Sequence, residues 1–154
     1  YDEDIAEKFK KMQDRIMNKE IPILTKLLSE TVFETGYKSA AEKYFDQISS
    51  KYGVIADTVL QNIYLQNMYD NQYLVKHLLF IVSNLSTDRR QNLEIIPLAG
   101  ISNPDIEIQD LSVKCFEAWE DKRHLPTLIS LRDNTKIEWF REYINDVIYE
   151  LNEG

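Results

Sequence analysis

Apolar side chains recur along the chain at spacings of three and four, the period of a helix with one buried face. Ile5, Phe9, Met12 and Ile16 form a first stripe, and Ile23, Leu24, Leu27, Leu28 and Val32 form a second. Pro22 precedes the second stripe and predicts a helix start, because the first helical turn has no use for the missing N–H. Gly36 interrupts the pattern. Ala40, Ala41, Tyr44, Phe45 and Ile48 resume it, and Gly53 is the expected left-handed stop.

The segment from Val54 to Met68 predicts another helix, with Val59, Leu60, Ile63 and Tyr64 on its core face. Tyr73 to Leu85 is more apolar and predicts a central buried helix. Ser86 or Thr87 is expected to cap the next, which runs through Leu93, Ile96 and Leu98 and bends at Pro97. In Asn103-Pro104-Asp105-Ile106-Glu107, Asn103 is the expected cap, Pro104 the first helical residue, and the acids favour the helix N-terminus. Ile108, Leu111, Cys115 and Trp119 then share a face. A short helix is expected around Pro126 to Leu131. Thr135 and Glu138 have capping-box spacing before a last helix with Phe140, Tyr143, Ile144, Val147, Ile148 and Leu151 inward. The pattern predicts about nine helices, no strand, and one domain over residues 1–154.

The second half repeats itself. Leu98 and Ile101 match Leu128 and Leu131 at an offset of 30, and Ile108, Leu111, Cys115 and Trp119 match Phe140, Tyr143, Val147 and Leu151 at an offset of 32. A weaker copy, Asp70, Leu74, Ile81 and Leu85, precedes Asp105, Ile108, Cys115 and Trp119. Such a period suits a helical hairpin that buries its apolar face only by stacking on a neighbour. The run from Leu98 to Phe116 has an apolar first helix, an Asn-Pro-Asp turn and an amphipathic second helix, and His124 to Leu131 looks like the next first helix. In this it resembles the HEAT-repeat class, well over residues 93–152 and loosely over 54–86. The resemblance implies an all-α chain of stacked antiparallel hairpins, a fragment of an α-solenoid, with N-terminal helices over 1–53 and hairpins over 54–154. Gln109 and Phe140 stand near where the family usually has an Arg early in the second helix, a departure that leaves open the ladder such an Arg often supplies.

Charge sharpens the reading. The chain has 154 residues and a net charge of −8. Residues 1–93 hold 13 acids and 12 Lys/Arg, whereas residues 94–154 hold 13 acids and only 6 Lys/Arg. A field of that sign repels nucleic acid and attracts a basic partner. It also simply aids solubility. Glu138, Glu142, Asp146 and Glu150 recur every fourth residue on the last helix, and Asp105, Glu107, Asp110, Glu117 and Asp121 lie in or beside the preceding long one. If those helices lie side by side, the two rows merge into one patch; otherwise each is a solvated face.

Other candidates are fewer. Tyr64, Tyr69 and Tyr73 sit in a run rich in Asn and Gln, a composition that suits either a recognition surface or a packed helix end with hydrated polar groups. His77, within the most apolar helix, reads as a hydrogen-bonded core histidine or as a base or ligand. His124 follows Lys122 and Arg123 and is expected in solvent. Cys115 falls on an inward face, where a thiol is inert, and as the only cysteine it has no internal disulfide partner. No metal-ligand spacing, phosphate loop or nucleophile elbow occurs, so neither cofactor nor metal is expected, and no catalytic residue.

No apolar run reaches membrane-spanning length. Tyr1-Asp2-Glu3-Asp4 is acidic, unlike a signal peptide, and the lack of an initial Met makes an upstream start the expectation. The expected location is the cytoplasm. The expected function is non-enzymatic protein binding. By size and charge the chain is similar to small acidic bacterial immunity proteins or antitoxins, which implies a basic nuclease-type toxin as partner. One alternative is a HEAT-like adaptor that grips a helix or tail in a groove. Another is a HEAT-like DNA glycosylase, which the sign of the charge opposes.

Overall fold

Two stripes that the pattern separates at Pro22 belong to one helix. In the computed structural model, which describes residues 2–154, α1 runs from Asp2 to Glu30 with Pro22 inside it. The proline leaves the Asn18 carbonyl without its usual helical donor. Glu20, two residues earlier, is buried, and its carboxylate accepts the Tyr44 hydroxyl at 2.8 and 3.1 Å. That pair fixes α1 to α2 (Ala40–Tyr52), which packs with α1 and with α3 (Val54–Asn67).

Contacts divide the chain into two compact units, Tyr1–Leu78 and Leu79–Gly154. The sequence pattern sets its internal division after residue 53. The observed boundary lies inside α4 (Gln72–Ser83), because α3 packs on α1 and α2.

In the first unit Leu24, Leu28, Phe45, Val59, Leu60 and Ile63 are fully buried. Each such side chain contributes roughly 1.5–3 kcal/mol of transfer free energy. Around Gly36, at φ 81°, the chain turns, and Glu34 and Tyr37 form an isolated bridge; no strand occurs among the described residues. Ser39 caps α2 by accepting the Glu42 amide at 3.1 Å.

The second unit continues from α4 through a four-residue helical turn, Arg90–Leu93. Then come α5 (Ile95–Gly100), α6 (Ile106–Trp119), a 3-10 turn at Lys122–His124, α7 (Leu125–Asn134) and α8 (Glu138–Glu153). Within this unit α5 packs on α6, α7 packs on α8, and α6 also touches α8. The first pair approaches closely: a Cβ built on Gly100 would lie 2.0 Å from Ser112 Oγ.

The chain is all-helical, as the pattern predicts. Beyond Pro22, three expected starts shift: Arg89, not Ser86 or Thr87, precedes the Arg90–Leu93 turn. Asp105, not Asn103, caps α6, accepting the amides of Glu107 at 2.8 Å and Ile108 at 3.4 Å. Asn103 instead accepts the Asp105 amide, and Pro104 stays outside the helix. The Thr135–Glu138 capping box does not form; Thr135 Oγ1 accepts the amide of Ile137, which precedes α8. No helix among the described residues is long and apolar enough to cross a membrane.

Candidate functional site

Contact between α6 and α8 brings carboxylates of separate helices together. Glu117 of α6 and Glu150 of α8 line one concavity of about 330 Å³ with Glu120, Val147, Leu151 and Gly154. Val147 and Leu151 belong to the buried stripe of α8, so the concavity has apolar as well as acidic walls. Glu120 ends α6 at φ 54°, the left-handed region, and its amide donates to the Phe116 carbonyl at 3.2 Å. A non-glycine residue held there carries a cost of roughly 1–2 kcal/mol.

Tyr143 ties the two helices. Its hydroxyl donates to Glu117 Oε1 at 2.8 Å, and the Lys114 ammonium sits 4.9 Å from its ring centre. Burial pushes the Tyr143 phenol far above its ordinary range, and the bond to Glu117 and the charges of Glu117, Asp110 and Glu150 add to the effect. Glu117, Asp110 and Glu150 therefore act on one group.

Not all of the nine expected acids share that position. Asp105 is occupied as the α6 cap. Asp121 accepts the Arg123 amide at 2.9 Å and pairs with the Arg123 guanidinium; this bonding holds its carboxyl below the usual range. Asp110 pairs with Lys114. Glu107 is exposed near the start of α6, and Glu138, Glu142 and Asp146 are exposed along α8 before the concavity. Glu120 and Tyr143 are site residues that the sequence reading did not single out: one falls at a helix end, the other reads as core.

The tyrosine cluster separates. Tyr64 is only 2% exposed, and burial pushes its phenol up to about 12. It is core, which corrects its assignment as a partner-binding residue. Tyr69 and Tyr73 are exposed, although the Tyr73 hydroxyl is tethered to the Thr31 carbonyl at 2.7 Å.

The histidines are structural in geometry. His77 Nδ1 lies 3.0 Å from the Leu28 carbonyl and Nε2 lies 2.7 Å from Ser39 Oγ. A neutral ring satisfies both, donating from Nδ1 and accepting at Nε2. His124, expected in solvent, is 3% exposed; its ring lies 4.5 Å from that of Phe116, and its Nε2 is 3.2 Å from Glu94 Oε1. The Nε2–Glu94 contact is close enough for an ion pair with a protonated ring but lacks hydrogen-bond alignment. Cys115 is fully buried 3.5 Å from the Leu79 carbonyl, and burial pushes its thiol well above the normal range. Among the described residues, no group of three or more His, Cys, Asp or Glu is arranged to hold a metal ion.

The fold and site thus define an all-helical protein with an acidic concavity between two helices of its second unit. Comparison with protein-family models, curated proteins and solved structures finds no match to this chain.

Proposed function

We propose that the protein is a non-enzymatic binding domain whose second unit receives a basic partner protein. The observation that carries this reading is the concavity lined by Glu117, Glu120 and Glu150. Its chemistry suits an Arg or Lys side chain, whose charged head meets the carboxylates. The acidic row Glu138, Glu142 and Asp146 extends the attraction along α8 and speeds encounter.

On this reading the pairs α5–α6 and α7–α8 are HEAT-like hairpins, stacked through their second helices. The most concrete class is a cytoplasmic bacterial immunity protein or antitoxin that covers the active site of a basic, nuclease-type toxin. Size, acidity and the concavity support that choice by analogy.

The test uses protamine, an arginine-rich polypeptide, as probe. Its affinity is measured by calorimetry at about 50 and 300 mM salt, a range over which exposed charge attraction weakens strongly. Glu117→Gln with Glu150→Gln should lower affinity by about tenfold, or roughly 1.4 kcal/mol. Glu3→Gln with Glu7→Gln, on α1, should not. Equal loss from both pairs, or indifference to salt, would refute the reading.

A further inference from the structure

The first unit carries a second, chemically different surface. Ile5, Phe9 and Met12 are 59%, 51% and 40% exposed, and with the half-buried Ile16 they form one apolar stripe on α1. At 100° per residue, Lys8, Arg15 and Lys19 fall together along one edge of that stripe. The stripe leads into a concavity of about 470 Å³ whose lining includes Met12, Ile16 and Ile55 with Arg15, Lys19 and Lys51. The surface is therefore an apolar track with a basic border on one side.

Charge distinguishes the possible occupants. Antiparallel pairing of two copies, with Ile5 opposite Ile16 and Phe9 opposite Met12, would set Lys8 of each copy near Arg15 of the other. Parallel pairing would bring together two sets of Asp2, Glu3 and Asp4. Residues 2–19 hold five acids and five bases, so an anionic lipid surface gains no net attraction from this segment. A helix laid along the stripe meets the basic border selectively.

We propose that this face of α1 docks an amphipathic helix of another protein that carries a row of carboxylates beside its apolar face. The mode is helix-in-groove: apolar anchors fill the track, and the carboxylates set the orientation against Arg15, Lys19 and Lys51. This surface belongs to the first unit and does not depend on the acidic concavity of the second.

The probe is a monomeric helical peptide of about 18 residues, with Leu on one face and Glu along its edges. A twin has Lys in place of Glu. Binding to the full chain is followed by fluorescence anisotropy. The Glu peptide should bind, and the Lys peptide should bind about tenfold more weakly or not at all. Phe9→Asp and, separately, Arg15→Glu with Lys19→Glu should each weaken the Glu peptide by about tenfold. Ile5→Asp repeats the first test at a more exposed position if Phe9→Asp disturbs folding. Glu117→Gln with Glu150→Gln should leave this binding unchanged, which separates it from the function proposed above. Three results would overturn the proposal: equal binding of the two peptides, a dimer in sedimentation that Phe9→Asp dissolves, or binding to phosphatidylglycerol vesicles that Phe9→Asp abolishes.

Discussion

The Tyr143 hydroxyl donates a 2.8 Å hydrogen bond to Glu117 Oε1, joining α8 to α6 at a residue that lines the acidic concavity. The acceptor is a carboxylate, so the bond is stronger than a neutral one, but Glu117 keeps some access to water. Tyr143→Phe should therefore cost about 1 kcal/mol rather than the full penalty of a buried orphan. A double-mutant cycle with Glu117→Gln, read by urea unfolding, should give a coupling of roughly 0.5–1 kcal/mol. Strict additivity would show that the bond adds nothing to stability.

His77 sets an acid limit. Burial is the largest cause that lowers its pKa from 6.5, and burial likewise lowers that of His124 despite the opposing pull of Glu94 and Asp121. The unfolded chain then binds more protons than the folded one below that value. The associated stability is fully present above pH 6.5 and declines as pH falls toward the folded-state values. Protonated at both nitrogens, His77 could not accept from Ser39. Urea midpoints should fall between about pH 7 and pH 5, and His77→Gln should make that fall shallower. A slope unchanged by His77→Gln would assign the effect elsewhere.

Ser39 serves two partners, since its oxygen accepts the Glu42 amide and its hydroxyl faces His77 Nε2. Ser39→Ala removes a helix cap and leaves a buried imidazole nitrogen without its partner. The expected cost is about 2–3 kcal/mol, larger than for an exposed cap alone. A loss close to that of an ordinary exposed cap would mean that the imidazole finds another partner or a water.

The helices themselves were legible because most residues obey one period. The exceptions have physical reasons. A proline inside α1 costs one helical hydrogen bond, but the flanking stripe and the Glu20–Tyr44 pair keep the helix continuous. Periodicity identifies a face and not what covers it, so Ile5, Phe9 and Met12 read as core and yet stand exposed. His124 follows two charged residues and reads as solvated, but the 3-10 turn at Lys122–His124 carries its ring onto Phe116. Of the site, Glu117 and Glu150 were legible from the acidic rows on the two helices. Glu120 was not, because no helical pattern extends to a residue that leaves the helix with positive φ.

Gly100 tests the close packing of α5 on α6. An added Cβ would meet Ser112 Oγ at 2.0 Å and Ser112 Cβ at 3.2 Å, and the serine hydroxyl is held by a 2.7 Å bond to the Ile108 carbonyl. Gly100→Ala should destabilise by about 1–3 kcal/mol as the helices are forced apart. Adding Ser112→Gly removes both obstructing atoms and should recover part of the loss, less the helix penalty of the new glycine. No recovery would trace the defect to another neighbour.

Trp139 can report where on α8 a cation docks. It is 55% exposed near the start of the helix, whereas Trp119 is buried beside Phe116. In a Trp119→Phe background, emission therefore comes from one solvent-facing indole. Trp139 precedes Glu150 by 11 residues, about 17 Å along the helix axis. Tetra-arginine seated among Glu117, Glu120 and Glu150 should leave that emission unchanged while shifting the NMR signals of Val147 and Leu151. If it instead quenches Trp139 and leaves those two residues undisturbed, the cation lies on the outer row of Glu138, Glu142 and Asp146. The concavity would then have no part in recognition.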